Sequence, residues 1–195
     1  MSDPLEPQDD AATPLTEEEQ AELIPAWITL REELNEAEQE NIMEASEWAF
    51  ARRRNVLDER FLTELHRRMF GRVWRWAGQF RRTARNIGVD AYRIPTDLRQ
   101  LLDDCRFWVD NETYEPDEIA VRFHHRLVQI HPFPNGNGRH ARLATDLLLI
   151  SMGQSSFTWG RISLVDNSRT RQQYIDALRA ADGHHYGPLR DFVRS

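Results

Sequence analysis

HPFPNGNGRHAR, residues His131 to Arg142, runs straight into the apolar segment LATDLLLI. Proline at 132 disfavours helical backbone at His131, so whatever helix leads up to the histidine ends there. Asn135-Gly136-Asn137-Gly138 is a turn by composition, and the apolar spacing that follows is that of a helix opened by this turn. A helix start carries N–H groups without carbonyl partners and the positive end of the dipole, and Gly136 and Gly138 let backbone approach an anion closely. Arg139 and Arg142, three positions apart, would share one helical face and present two guanidiniums to the same ligand. Histidine titrates near neutrality and can take a proton from an incoming hydroxyl. The stretch reads as a phosphate cradle beside a general base, with Phe133 turned into the core as its anchor.

Working outward, the chain is helical by pattern, and the expected fold class is all-α. Thr16 caps a short helix with acidic residues in its first turn. Leu34, Ala37, Asn41, Ala45, Trp48 and Ala49 recur at helical spacing without Gly or Pro, and Asp58 caps a further helix through Leu62, Leu65 and Met69 that Gly71 ends. Helices are also expected over 97–109, 116–129, 138–152, 167–181 and 188–193. The middle, VWRWAGQFRRTARNIGVDAYRIP, carries two glycines, aromatic punctuation and a closing proline, and is read as irregular chain with a short β-hairpin around Ile87 to Ile94. Residues 1–15 are rich in Asp, Pro, Glu and Ala and read as a disordered leader, which leaves 16–195 as a single domain.

Composition sets outer limits. The chain has 195 residues, 40% hydrophobic and 29% charged, with net charge −7, which describes a soluble globular protein. No apolar run approaches the roughly 20 residues that span a bilayer, and the N-terminus lacks a basic region followed by an apolar one, so a cytoplasmic location is expected and no membrane partner. All 25 basic residues are Arg, which removes lysine-based chemistry. An acidic surface is a poor counterion-releasing surface, so direct nucleic-acid binding is not expected, and the arginine clusters at 52–54 and 67–85 read as solvated helix faces with local ion pairs. The single Cys105 admits no internal disulfide and sits in an apolar-periodic stretch as an inert thiol. His124 and His131 lie seven apart with His125 and His140 nearby, but no carboxylate or Cys stands at supporting spacing for a metal site.

His131 to Arg142 resembles the signature of the Fic family, HxFx[D/E]GNGRxxR, at every defined position but one. WAGQFRR at 76–82, the stretch through Ile94-Pro95 and the helix FHHRLVQI before the motif resemble that family too, over roughly residues 30–192. The resemblance implies a Fic-type helical bundle with a short β-hairpin flap, transferring AMP from ATP to a Ser, Thr or Tyr hydroxyl of a target protein. It implies that His131 is the base, that Asn135, Gly136, Asn137 and Gly138 hold the inner phosphates and Arg139 and Arg142 the outer ones, and that the flap (Ile87, Gly88, Ile94) docks the target segment by edge pairing.

One position departs. Asn135 stands where the family has an Asp or Glu that ligates Mg²⁺; an amide oxygen can coordinate a hard cation but brings no charge, which weakens use of Mg²⁺ or Mn²⁺. The alternative is therefore a nucleotide-binding partner or toxin-like protein with little or no transferase activity. The family's inhibitory helix, [S/T]xxxE[G/N], is matched in its first five positions by Thr29-Leu-Arg-Glu-Glu33, which places an N-terminal inhibitory segment at about 16–35 and implies that Glu33 pairs with Arg142. Short Fic chains similar to this one form a group called mobile mystery protein B, encoded beside a helix-turn-helix protein, which implies such a partner.

Overall fold

The computed structural model describes residues 15–160 and 168–195. The leader read at 1–15 lies, but for Leu15, outside the described residues. The elements are α1 (Glu17–Gln20), α2 (Arg31–Phe50), α3 (Glu59–Phe70), a 3₁₀ turn (Ala91–Arg93), α4 (Ile94–Asp110), α5 (Pro116–Ile130), α6 (Asn137–Ser151), α7 (Ser168–Asp182) and α8 (Gly187–Arg194).

Local chemistry explains most boundaries. Thr16 Oγ1 accepts from the Glu19 N–H while Glu19 reaches back to the Thr16 N–H at 2.9 Å, a reciprocal cap. Asp58 Oδ1 accepts from Phe61 N–H at 2.9 Å and opens α3. Pro116 opens α5, where its missing N–H costs nothing.

The helices enclose two apolar clusters. The larger joins α2 to α6 through residues such as Leu34, Leu62, Leu65, Met69, Phe123, Leu127 and Leu148. The smaller gathers Ala120, Val121, Leu149, Phe157, Tyr174, Ala177, Leu189 and Val193 between α5, α6, α7 and α8. α5 packs most extensively on α6, and α2 on α3. Each large side chain removed from water here contributes roughly 2 kcal/mol, so the loop joining α5 to α6 is held between two of the best-packed elements. Cys105 is fully buried, and burial pushes its thiol up to about 12, as expected of an inert core group.

The hairpin expected at 87–94 does not form. Among the described residues there is no strand, only an isolated bridge between Leu23 and Trp74. The segment instead bends, makes the 3₁₀ turn and enters α4 at Ile94, which is a buried core residue and not part of a flap. The reason lies in where its backbone groups go. The Arg81 guanidinium takes the carbonyls of Thr83 (2.9 Å) and Val89, and the Val89 N–H donates to Ile130 O at 3.4 Å. Pairing partners that a hairpin would supply from within are supplied by an arginine side chain and by the end of α5. Pro95, expected to close the hairpin, stands in the first turn of α4, where proline is at home.

Candidate active site

His131 is the residue after α5. Its N–H still donates to Leu127 O at 3.2 Å, but its backbone is left-handed (φ 54°, ψ 61°), which turns the chain out of the helix. Arg81, 3% exposed, fixes that corner. Its Nε donates to His131 O at 2.7 Å, its backbone N–H to Pro132 O at 2.9 Å, and Nη2 to Val89 O and, at 3.4 Å, Ile130 O. Gly88 lies on the same corner with φ +102°, where a Cβ would stand 2.7 Å from both His131 Cβ and Arg81 Nη2. Ile87 beside it is exposed.

The His131 ring is buried, at 7% residue exposure. Burial, then the positive charge of Arg81 and more weakly Arg85, pushes its pKa down to about 4, against a backbone hydrogen bond with Val128 that raises it. The imidazole is therefore neutral at physiological pH, the state a general base requires.

The turn that follows is braced from inside. Asn137, expected as a phosphate contact, spends its side chain on Phe133: Oδ1 accepts the Phe133 N–H at 2.9 Å and Nδ2 donates to Phe133 O at 2.8 Å. Phe133 is fully buried, as its role of anchor requires. Gly136 precedes α6 with φ +76°, and a Cβ there would meet the Phe70 ring at 2.5 Å, so only glycine fits. A Cβ at Gly138 would meet nothing within 4 Å, so this position faces open space. The first amides of α6, at Asn137, Gly138 and Arg139, have no carbonyl partner within the helix, and the helix dipole adds positive potential in front of them.

Asn135 Oδ1 accepts the Gly136 N–H at 2.6 Å, and its carbonyl faces His66 Nε2 at 3.0 Å. A neutral amide oxygen folded onto its own neighbour supplies no charge. Among the described residues no three His, Cys, Asp or Glu side chains cluster for a metal, so the donor set does not fit an ion held by the protein alone. His124, His125 and His140 are engaged separately, with Tyr174 Oη, Asp182 and the Leu62 carbonyl.

The two motif arginines diverge. Arg139 Nη1 meets Glu38 of α2 at 2.5 Å, and Glu38, 6% exposed, also accepts from Trp74 Nε1 at 2.7 Å. Arg142 leans toward α7, its guanidinium 6.0 Å from the centre of the Tyr174 ring, and burial lowers its pKa with help from the charges of Arg139 and Arg171 against Tyr174 and Asp146.

Glu33 is not brought to Arg142. It sits in the first turn of α2, where Oε2 accepts from the N–H groups of Thr29 (2.7 Å) and Leu30 (3.0 Å) and from Thr29 Oγ1 (3.3 Å), and the Thr29 and Leu30 backbone bonds hold its carboxyl below the usual range. The acid that meets the motif is Glu38. Arg81, Glu38 and His66 are the site residues that sequence reasoning missed. Arg81 stood in the quoted WAGQFRR, the only hint available.

Residues 56–149 match the Fic/DOC family. Over 137 residues the chain is 34% identical to the protein adenylyltransferase Fic of Drosophila grimshawi and 32% identical to that of Aedes aegypti, matches that take in 68% of this chain and 26% of each relative. The chain thus spans about a quarter of the length of these relatives. Among solved structures, BepC of Bartonella tribocorum with bound AMPPNP superposes with a TM-score of 0.69 at 18% identity, covering 92% of this chain and 97% of that one. A Fic domain containing signaling protein from Bacteroides thetaiotaomicron gives 0.63 at 20% identity over 82% and 66%. These two likenesses concern the fold. Sequence and fold agree that the chain carries a domain of the Fic/DOC family.

Proposed function

We propose that this protein transfers AMP from ATP, or a related phosphate-containing moiety from a nucleotide, to a Ser, Thr or Tyr hydroxyl of a target protein. The observation that carries the proposal is the placement of His131 at the end of α5, its backbone carbonyl held by Arg81 at 2.7 Å and the pKa of its buried ring pushed down to about 4, in the loop that opens α6. In the reaction the target hydroxyl attacks the α-phosphorus, His131 takes the hydroxyl proton, and the bond to the β-phosphate breaks to release pyrophosphate. The amides of Asn137 and Gly138 and the arginines at 139 and 142 would hold the anionic oxygens before and during attack, the positioning and charge stabilisation on which such transfers depend. Relatives named protein adenylyltransferase support the reading.

Mg²⁺ or Mn²⁺ would arrive with the nucleotide, since Asn135 brings no charge to a metal. The second reading, a nucleotide-binding protein with little chemistry, rests on that residue. The Glu38 pair supports an acidic brake on the motif, made at Arg139 and not at Arg142, where the inhibitory pattern would place Glu33. A helix-turn-helix partner and a cytoplasmic location belong to this proposal as well; among the described residues no helix is long and apolar enough to cross a membrane.

The test is incubation with ATP labelled at the α-phosphate, with Mg²⁺ or Mn²⁺, followed by a search for label on the protein itself and on lysate proteins. Label that disappears in His131→Ala is expected. ATP binding without label, even after Glu38→Gln and Asn135→Asp are combined, favours the second reading.

A further inference from the structure

His66 lies in α3, fully buried, between the turn at Gly78 and the loop at Asn135. Its Nδ1 faces the Gly78 N–H at 2.9 Å and its Nε2 faces the Asn135 carbonyl at 3.0 Å. A backbone N–H only donates and a carbonyl only accepts, so the ring must accept at Nδ1 and donate from Nε2. That is a single neutral tautomer, and burial holds the ring in it by pushing the pKa well down. A second proton would set N–H against N–H.

The Gly78 end of this bridge and the ring itself are closely packed. Gly78 has φ +81°, and a Cβ there would stand 2.8 Å from Arg67 Cβ and 2.9 Å from Thr63 O, so the turn is tight against α3. The ring itself stacks on Phe133, 3.7 Å between centroids at 17°. Because the peptide unit is planar and trans, fixing the Asn135 carbonyl toward His66 points the Gly136 N–H the opposite way, to the side where Asn135 Oδ1 now holds it.

We infer that His66 is a positioning residue of the nucleotide site: its Nε2–H sets the plane of the Asn135–Gly136 peptide and thereby aims the amides that open α6. The inference rests on the functional reading above for what those amides receive. His66 acts through the loop and touches no substrate.

Two substitutions separate the ends of the bridge. His66→Asn places an oxygen near the Nδ1 position and keeps the Gly78 bond but loses the loop; His66→Gln places an NH₂ near the Nε2 position and keeps the loop bond but loses Gly78. Both forfeit the stack on Phe133. Calorimetric titration with AMPPNP should find His66→Gln within about twofold of the unsubstituted protein and His66→Asn weaker by about tenfold, one lost hydrogen bond, at similar Tm. Equal affinities for the two variants overturn the inference. If neither variant folds, ¹⁵N histidine NMR of the unsubstituted protein decides: an Nε2–H tautomer whose signal moves on adding AMPPNP is expected, and an Nδ1–H tautomer or an indifferent signal overturns it. A protein that binds no AMPPNP sinks the functional reading instead, and amide exchange then judges the anchor, since Gly136 and Asn137 should exchange faster in His66→Asn than in His66→Gln.

Discussion

Arg139 reaches across 101 positions of sequence to place its Nη1 2.5 Å from Glu38, a carboxylate that Trp74 holds by its indole N–H. A guanidinium so engaged has part of its donor fork and its charge already committed to a carboxylate, which competes with a phosphate for them. Glu38→Gln keeps an acceptor for Trp74 and removes the charge. The expected outcome is nucleotide binding tighter by roughly tenfold, the size of one charge-assisted hydrogen bond, measured with a fluorescent ATP analogue; unchanged affinity would show that the pair exerts no restraint.

Glu33 offers the contrast. Its carboxylate is committed to the Thr29 and Leu30 N–H groups at the start of α2. Glu33→Gly should lower the Tm through the lost cap and leave nucleotide affinity within about twofold, a cap being a local contribution to the helix. A gain in binding or in label on Glu33→Gly would restore that residue to the inhibitory role.

Arg81 is the test of the base's setting. Arg81→Lys keeps a charge but cannot reach His131, Thr83, Val89 and Ile130 carbonyls with one ammonium. Losing two of these charge-assisted bonds costs about 3 kcal/mol of stability. Turnover should fall by more than roughly tenfold with KM for ATP little changed, because the histidine and not the phosphate cradle loses its support; a change confined to KM would place Arg81 elsewhere in the cycle.

Acid should separate activity from stability in a defined way. With His131 held at about 4, the acid limb of kcat/KM should lie near pH 4 and not near 6.5. His124 is likewise pushed to about 3, His140 to about 4 and His66 well down, each chiefly by burial. For such groups the unfolded chain binds more protons between the folded value and about 6.5, so stability rises with pH across that window and is complete above it. Asp146, raised to about 6 by burial, works the other way, favouring the folded state below that value. Four histidines against one carboxyl set the net sign, and Tm at about pH 4.5 should lie below Tm at about pH 7. An equal Tm at the two values would contradict the buried, neutral rings.

Asn135→Asp restores a charge beside the Gly136 amide. Nucleotide binding, or label transfer, should then become more responsive to Mg²⁺, by about tenfold between metal-free and millimolar conditions, as expected of a hard cation given one anionic oxygen. No change in metal response would mean that position 135 does not face the metal carried by the nucleotide.

The helices were legible because their signals are local: a cap at Asp58, a stop at Gly71, apolar spacing along α3 and α5. The loop was legible because His131, the glycines and the arginines lie together in sequence. What escaped depends on side chains that reach far. Nothing local marks Arg81 as the group that would take the Thr83 and Val89 carbonyls, so the stretch from Ile87 to Ile94 reads as a hairpin. Glu38 sits in a run of carboxylates and is singled out only by Trp74 and Arg139, both distant. Asn137 matched a ligand-binding motif, yet both ends of its amide go to Phe133, a use that the residue type alone does not reveal.

His131 holds a left-handed backbone conformation, φ 54°, which L-residues other than glycine adopt at a cost of roughly 1 kcal/mol. Glycine would take that conformation without the strain, but it would bring no ring to the corner. The strain of that corner is met from outside the residue, by a buried arginine on its backbone carbonyl and a close-packed Gly88 beside its Cβ, so the cost of placing an imidazole there is carried by the packing around it.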